Sequence, residues 1–235
     1  MVNRNEMISY HYLFAFGDGT KKEFDIKLDP VTLDCMQTER KTTPEWTRLE
    51  YSRCDNCPLD SSKFEFCPIA VTLAELVDSF KDMISYEDVD VMLTTKERNT
   101  WKHTSVQDGV SPLLGIYMVT SGCPIMEKLK PMVRYHLPFA SVEETAYRAT
   151  CMYLLGQYFR NKKGMEPDWE FRGLTEIYEN IKVVNKGMCE RLRNASNQDA
   201  NVNAIVHLDV FAQVLPYSMK DVLGKMEYLF DAYMK

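Results

Sequence analysis

Residues 8–28 read ISYHYLFAFGDGTKKEFDIKL, and this stretch decides the fold class. Apolar and aromatic residues alternate with others from Ile8 to Phe16, Gly17-Asp18-Gly19 supplies a turn, and Glu23 to Leu28 alternates again with Phe24, Ile26 and Leu28 on one face. Successive side chains of a strand point to opposite faces, so two alternating runs joined by a glycine turn predict a β-hairpin with one apolar side. The glycine pair is not a phosphate loop, because no third glycine, lysine or following helix accompanies it.

Further along, a polar connector from Gln37 to Glu45 leads to Trp46–Tyr51, whose apolar points Trp46, Leu49 and Tyr51 predict another strand. Val71 to Met83 has Leu73, Leu76, Val77 and Phe80 at helical spacing, with Thr72 and Glu75 placed as an N-cap and its capping-box partner. Asp88–Thr95 and Asn99–Thr104 predict a second strand pair, and Val110–Val119 a buried helix stopping near Gly122.

Beyond residue 139 the pattern is helical. Ser141 and Glu144 form a capping box for a helix running to Lys163, with Gly164 as its stop. Asp168 opens a second helix with the stripe Leu174, Ile177, Tyr178, Ile181, Val184, Met188 and Leu192. A third runs from about Asp199 to Pro216, and Ser218 with Asp221 opens a fourth. The expected class is α+β. It comprises a small N-terminal mixed or antiparallel sheet with packed helices and a cysteine-rich loop, then an antiparallel four-helix region. The expected division is residues 1–138 and 139–235, the second packed on the first or merged with it into one domain.

The 235 residues are 45% hydrophobic, enough for a substantial core, and carry a net charge of -6, which argues against a nucleic-acid surface. The basic group Arg160, Lys162 and Lys163 falls at a helix end, where cations complement the dipole. No apolar run is long enough to span a bilayer, and Met1 to Glu6 lacks a signal-peptide pattern, so a cytoplasmic protein is expected. Seven cysteines, an odd number, fit reduced thiols better than a disulfide scaffold.

Three of those cysteines precede proline, at Cys57-Pro58, Cys67-Pro68 and Cys123-Pro124, and Cys54 with Cys57 makes a CxxC pair. Proline forces the residue before it out of the helical region, so each such sulfur is presented from an extended backbone. Two cysteines spaced this way reach one metal ion from a single turn. The candidate ligand set is Cys54, Cys57, Cys67 and Cys123, with His103 or His136 as substitutes for the fourth position. Zinc is the expected metal, with an iron–sulfur cluster as the alternative. The competing reading is that these are small buried thiols, and it is preferred for Cys35, Cys151 and Cys189. Cys123, ahead of Pro124 at a helix entry, is also a candidate nucleophile with His136 as its base.

Common catalytic signatures are absent. The residues three before His11, His103, His136 and His207 are Ile8, Thr100, Val133 and Ala204, so no Glu-x-x-His pair supports a di-iron site. No zinc-protease helix, P-loop, dinucleotide fingerprint or nucleophile elbow occurs. His207 reads as a core or boundary histidine. Glu143, Glu144 and Arg148, like Glu176, Glu179 and Lys182, read as solvated helix pairs.

The strings from Cys54 to Leu59, from Phe66 to Ala70 with Leu73 to Val77, from Gly115 to Pro124 and from Met132 to Ala140 resemble an uncharacterised bacterial family of unknown function. The resemblance covers nearly the whole chain and implies no reaction. The functional expectation is therefore a non-enzymatic, zinc-stapled interaction or regulatory module with a protein partner, able to form homo-oligomers. The alternatives are an iron–sulfur redox protein and a thiol enzyme using Cys123 with His136.

Overall fold

The computed structural model describes residues 6–36 and 43–235, except for the side chains of residues 211, 214–220 and 222. Most of the expected connector at Gln37–Glu45, and nearly all of the Met1–Glu6 terminus, lie outside the described residues.

The hairpin forms where alternation places it. Strand β1 (Ile8–Phe16) pairs antiparallel with β2 (Lys21–Leu28), with Tyr12 opposite Phe24. Strands β3 (Asp88–Thr94) and β4 (Asn99–Ser105) add to the free edge of β1, giving a four-stranded antiparallel sheet in the order β2-β1-β3-β4. Period-two alternation then sorts the faces: Tyr10, Tyr12, Phe14, Ile26, Val89, Val91 and Leu93 are buried, while His11, Leu13, Asp25, Asp90 and Trp101 lie on the opposite side.

Helices α1 (Pro68–Phe80) and α2 (Val106–Val119) cover the apolar face. Phe80 meets Phe14 edge-on at a centroid separation of 5.1 Å and stacks on Phe24 at 5.6 Å, which seats α1 against the hairpin. Gly109 lets α2 approach β3, because a Cβ there would sit 2.7 Å from Val91 Cγ2 and 3.1 Å from Phe14 Cε1. Beyond α2 come a 3-10 turn at Met126–Leu129, α3 (Lys130–Arg134), α4 (Val142–Lys162), α5 (Arg172–Arg193) and α6 (Ala200–Met226). Helix α6 packs against α2, α4 and α5. One hydrophobic core joins the sheet to Leu174, Met188 and Ile205.

Several expectations need correcting. Trp46–Tyr51 is not a strand but two 3-10 turns, Glu45–Thr47 and Leu49–Tyr51, hinged at an Arg48–Phe66 bridge. Its apolar points are unevenly spaced, which does not match a pleat. Helix α1 starts at Pro68, with Cys67 at the N-cap in an extended conformation. Proline suits the first helical position, and Thr72 instead lies inside the helix, donating its hydroxyl to the Pro68 carbonyl at 2.8 Å. Helix α5 starts at Arg172 rather than Asp168, which stays outside and accepts from the Gly173 amide at 2.8 Å. The capping box at Ser141 and Glu144 forms as expected.

The helices expected to break at Pro216 are one continuous α6, so the C-terminal part holds three long helices rather than four. The cysteines also do not make one cysteine-rich loop. Cys54 and Cys57 precede α1, Cys67 begins it, and Cys123 follows α2.

Candidate functional site

The helices and the sheet leave a cavity of about 330 Å³ that is partly open to solvent. Its walls come from α2, the segment from Met126 to Ala140, α4, α5 and α6, with Lys102 of β4 at one side. Ile116, Val119, Met126, Val133, Ile181 and Leu208 make most of this lining apolar. Two sequence choices on α2 shape the space. Gly115 allows α6 to come close, a Cβ there lying 3.5 Å from Leu208 Cδ2. Pro112 has no amide hydrogen, so the Asp108 carbonyl one turn back loses its helical donor at the cavity wall.

A few polar groups interrupt this lining. Tyr178 is buried at 4% exposure, and its hydroxyl has no hydrogen-bond partner among the described residues. Burial pushes its pKa well up against the opposing pull of Arg148, so it remains a phenol. Arg148 is half-buried; one of its nitrogens donates to the Met132 carbonyl at 3.0 Å and the Tyr135 carbonyl at 2.8 Å. Despite the spacing to Glu144, no carboxylate lies within ion-pair distance of Arg148 among the described residues. Glu144 is turned back into the capping box. The expected solvated pair is therefore a cation on a cavity wall.

Asp108 and His207 form a second polar spot, Oδ1 to Nδ1 at 2.6 Å, each about two-fifths exposed. Ser111 lines the same wall, but among the described residues no hydrogen bond joins it to His207. The segment covering the cavity contains Phe139 at φ 60°, a strained conformation for an aromatic residue, with Lys102 Nζ 5.4 Å from its ring centroid.

His136 lines the cavity without being available to it. Its Nε2 is hydrogen-bonded to the Tyr12 hydroxyl at 2.6 Å, and burial with the nearby Arg148 charge pulls its pKa down to about 3. No hydrogen bond links it to Cys123 among the described residues. Cys123 is buried, and burial raises its thiol pKa, with the Met126 and Ile125 amides pulling the other way. A thiolate–imidazolium pair would need both shifts reversed. His103 is on the far face of the sheet, its Nδ1 2.9 Å from Asp90 Oδ1.

Of the expected ligands, Cys54 is near enough to Cys67, Cys57 and Cys123 to feel their charge. Yet among the described residues no group of three or more His, Cys, Asp or Glu side chains is placed to hold a metal ion. This overturns the zinc staple and the iron–sulfur alternative alike. The physical reasons are local. Cys67 and Cys123 stand at helical starts, with the following amides near their sulfurs. Cys54 is packed on α5, where a Cβ on Gly187 would meet its Sγ at 2.8 Å. Burial pushes the Cys54 thiol up to about 12.

The neighbourhood also already holds a cation, Arg191, 1% exposed, whose influence reaches Cys54 and Cys67. Arg191 is what ties this region together. It donates to the carbonyls of Trp46, Arg48 at 2.6 Å, Leu49 at 3.2 Å and Ser52 at 2.8 Å. Its Nε has no partner among the described residues. Of the other cysteines, Cys189 is buried as expected, Cys35 is half-buried, and Cys151 is exposed on α4 rather than buried.

The fold and cavity thus define an α+β protein with a mainly apolar site that is partly open to solvent. The chain belongs to the family described as a domain of unknown function (DUF6901), whose model matches residues 8–231. No curated protein matches the chain. No solved structure matches it either. Among the described residues no helix is long and apolar enough to cross a membrane.

Proposed function

We propose that this protein binds a small, mainly apolar molecule in the cavity between α2, α5 and α6, acting as a non-enzymatic carrier or sensor. The supporting observation is a cavity of about 330 Å³ with an unpartnered Tyr178 hydroxyl on an otherwise mainly apolar wall. Concave, apolar spaces with a few convergent polar groups are the usual form of small-molecule sites, and this volume lies within their range. A ligand acceptor placed against this free donor gains a hydrogen bond in an apolar setting, where such a bond is stronger than in water. Strain at Phe139 fits a cover held in place for a purpose.

The parts numbered 1–138 and 139–235 act in this reading as one unit, because both contribute lining. A cytoplasmic setting and a protein partner that reads the loaded state belong to the same proposal. The test is titration with Nile red, a neutral dye that brightens in apolar surroundings. One saturable site per chain is expected. Absence of saturable binding overturns the reading.

A further inference from the structure

Tyr178 and Arg148 together define the ligand more narrowly than cavity size alone. Both line the same space, and they are close enough for the Arg148 charge to act on the phenol. The phenol hydroxyl is unpartnered among the described residues, and the guanidinium has no carboxylate within ion-pair distance. The other charged groups of the wall are already engaged: His207 holds Asp108, and Lys102 Nζ sits over the Phe139 ring. His136 is neutral and bonded to Tyr12. The wall therefore carries two cations, Arg148 and Lys102, with the Tyr178 donor near Arg148; Asp108 is taken up by His207, and Glu144 acts on Arg148 only from beyond ion-pair distance.

We infer that the ligand is an amphipathic monocarboxylate, its carboxylate accepting hydrogen bonds from Arg148 and the Tyr178 hydroxyl and its apolar body lying along α2 and α6. This inference rests on the proposed small-molecule site. Guanidinium groups favour carboxylates because donor and acceptor geometries match, and such bonds are about twice as strong as neutral ones. A 150 Å³ cavity takes benzene, so a space of about 330 Å³ surrounds an acid of roughly a dozen heavy atoms, such as decanoate, and because it is partly open to solvent a larger molecule such as Nile red can extend from its mouth.

Calorimetric titration of the full chain with decanoate, decanol and decylamine at neutral pH tests this, with Nile red as the measure of an intact cavity. Decanoate is expected to bind about tenfold or more tightly than decanol, and decylamine more weakly than either. Arg148→Gln is expected to remove the preference for acid over alcohol. Tyr178→Phe, which keeps the ring, is expected to reduce it severalfold while Nile red still binds. Equal affinity for acid and alcohol, tighter binding of the amine, or a preference that survives in both variants overturns the carboxylate assignment and leaves the cavity reading standing. So does decanoate failing where Nile red binds. Failure of decanoate and Nile red together removes both.

Discussion

Replacing Arg191 tests the claim that a buried guanidinium, and no metal, holds the segment ahead of α1. Arg191→Met removes donors from the carbonyls of Trp46, Arg48, Leu49 and Ser52. A buried acceptor left without a partner costs about 1–3 kcal/mol. Only the Leu49 bond is fully buried, so water recovers part of the loss at the others. Removing the cation also removes its own burial penalty, which is several kcal/mol. The net expectation is a loss of about 3 kcal/mol, which in a chain of this size lowers Tm by roughly 6–12 °C.

Arg191→Lys retains the charge but cannot span the same carbonyls, and should lose about 2 kcal/mol. Urea denaturation at low and high salt is the assay. Both losses should persist at 1 M salt, because a buried cation among carbonyl dipoles is little screened. Trypsin supplies a local readout, since Arg53 and Lys63 are exposed in the tethered segment and should be cut faster in the variants. A loss below about 1 kcal/mol for Arg191→Met, with unchanged cleavage, would refute the reasoning.

Other outcomes follow from the same contacts. Gly187→Ala should destabilise by about 1–3 kcal/mol despite alanine's better helix propensity, because the new methyl meets Cys54 Sγ. Combining it with Cys54→Ala should recover much of the loss, which a double-mutant cycle measures. Cys57→Ser should change stability by less than about 1 kcal/mol, and a chelator should leave Tm unchanged; unfolding under either treatment would restore the metal reading. His136 has a folded pKa pulled down to about 3, below its unfolded value, so only the unfolded chain takes up its proton between about pH 6.5 and 3. Its contribution is complete above about pH 6.5 and is lost by about 1.4 kcal/mol per pH unit as pH falls through that window. His136→Gln should flatten this acid limb in urea midpoints measured across the range.

The sheet was legible because its signal is local. Alternation in β1 and β2 states both register and face, and the Ser141–Glu144 box states where α4 begins. The Cys-Pro pairs stand out in the sequence, but their spacing does not state their meaning. At Cys67 the proline marks the first residue of α1, and the extended cysteine before it is an N-cap. Cys54 feels the charge of Cys57, Cys67 and Cys123, yet among the described residues no metal-holding group forms, a difference that spacing alone cannot state.

Arg191 left a usable signal, since it lies at helical spacing from Val184 and Met188 on the buried stripe of α5. A cation in such a row announces a buried partner. Pro216 misled because proline usually ends a helix, whereas α6 continues through it. The cavity had no sequence signature: its wall is assembled from β4, five helices and the segment between α3 and α4. Arg148 shows the same limit, since its spacing to Glu144 suggested a surface pair and only tertiary structure turned it to the cavity.

The most direct test of the account is to fill the cavity. Ala212, 1% exposed, lines it from α6, and Ala212→Phe would project a ring into the space that the ligand is proposed to occupy. Binding stoichiometry for Nile red, measured on wild type and variant alongside their melting curves, decides the matter. The account predicts one site per chain in the wild type and none in a variant that melts no lower, because the ring occupies space that was empty. Undiminished binding in a folded Ala212→Phe chain would contradict it.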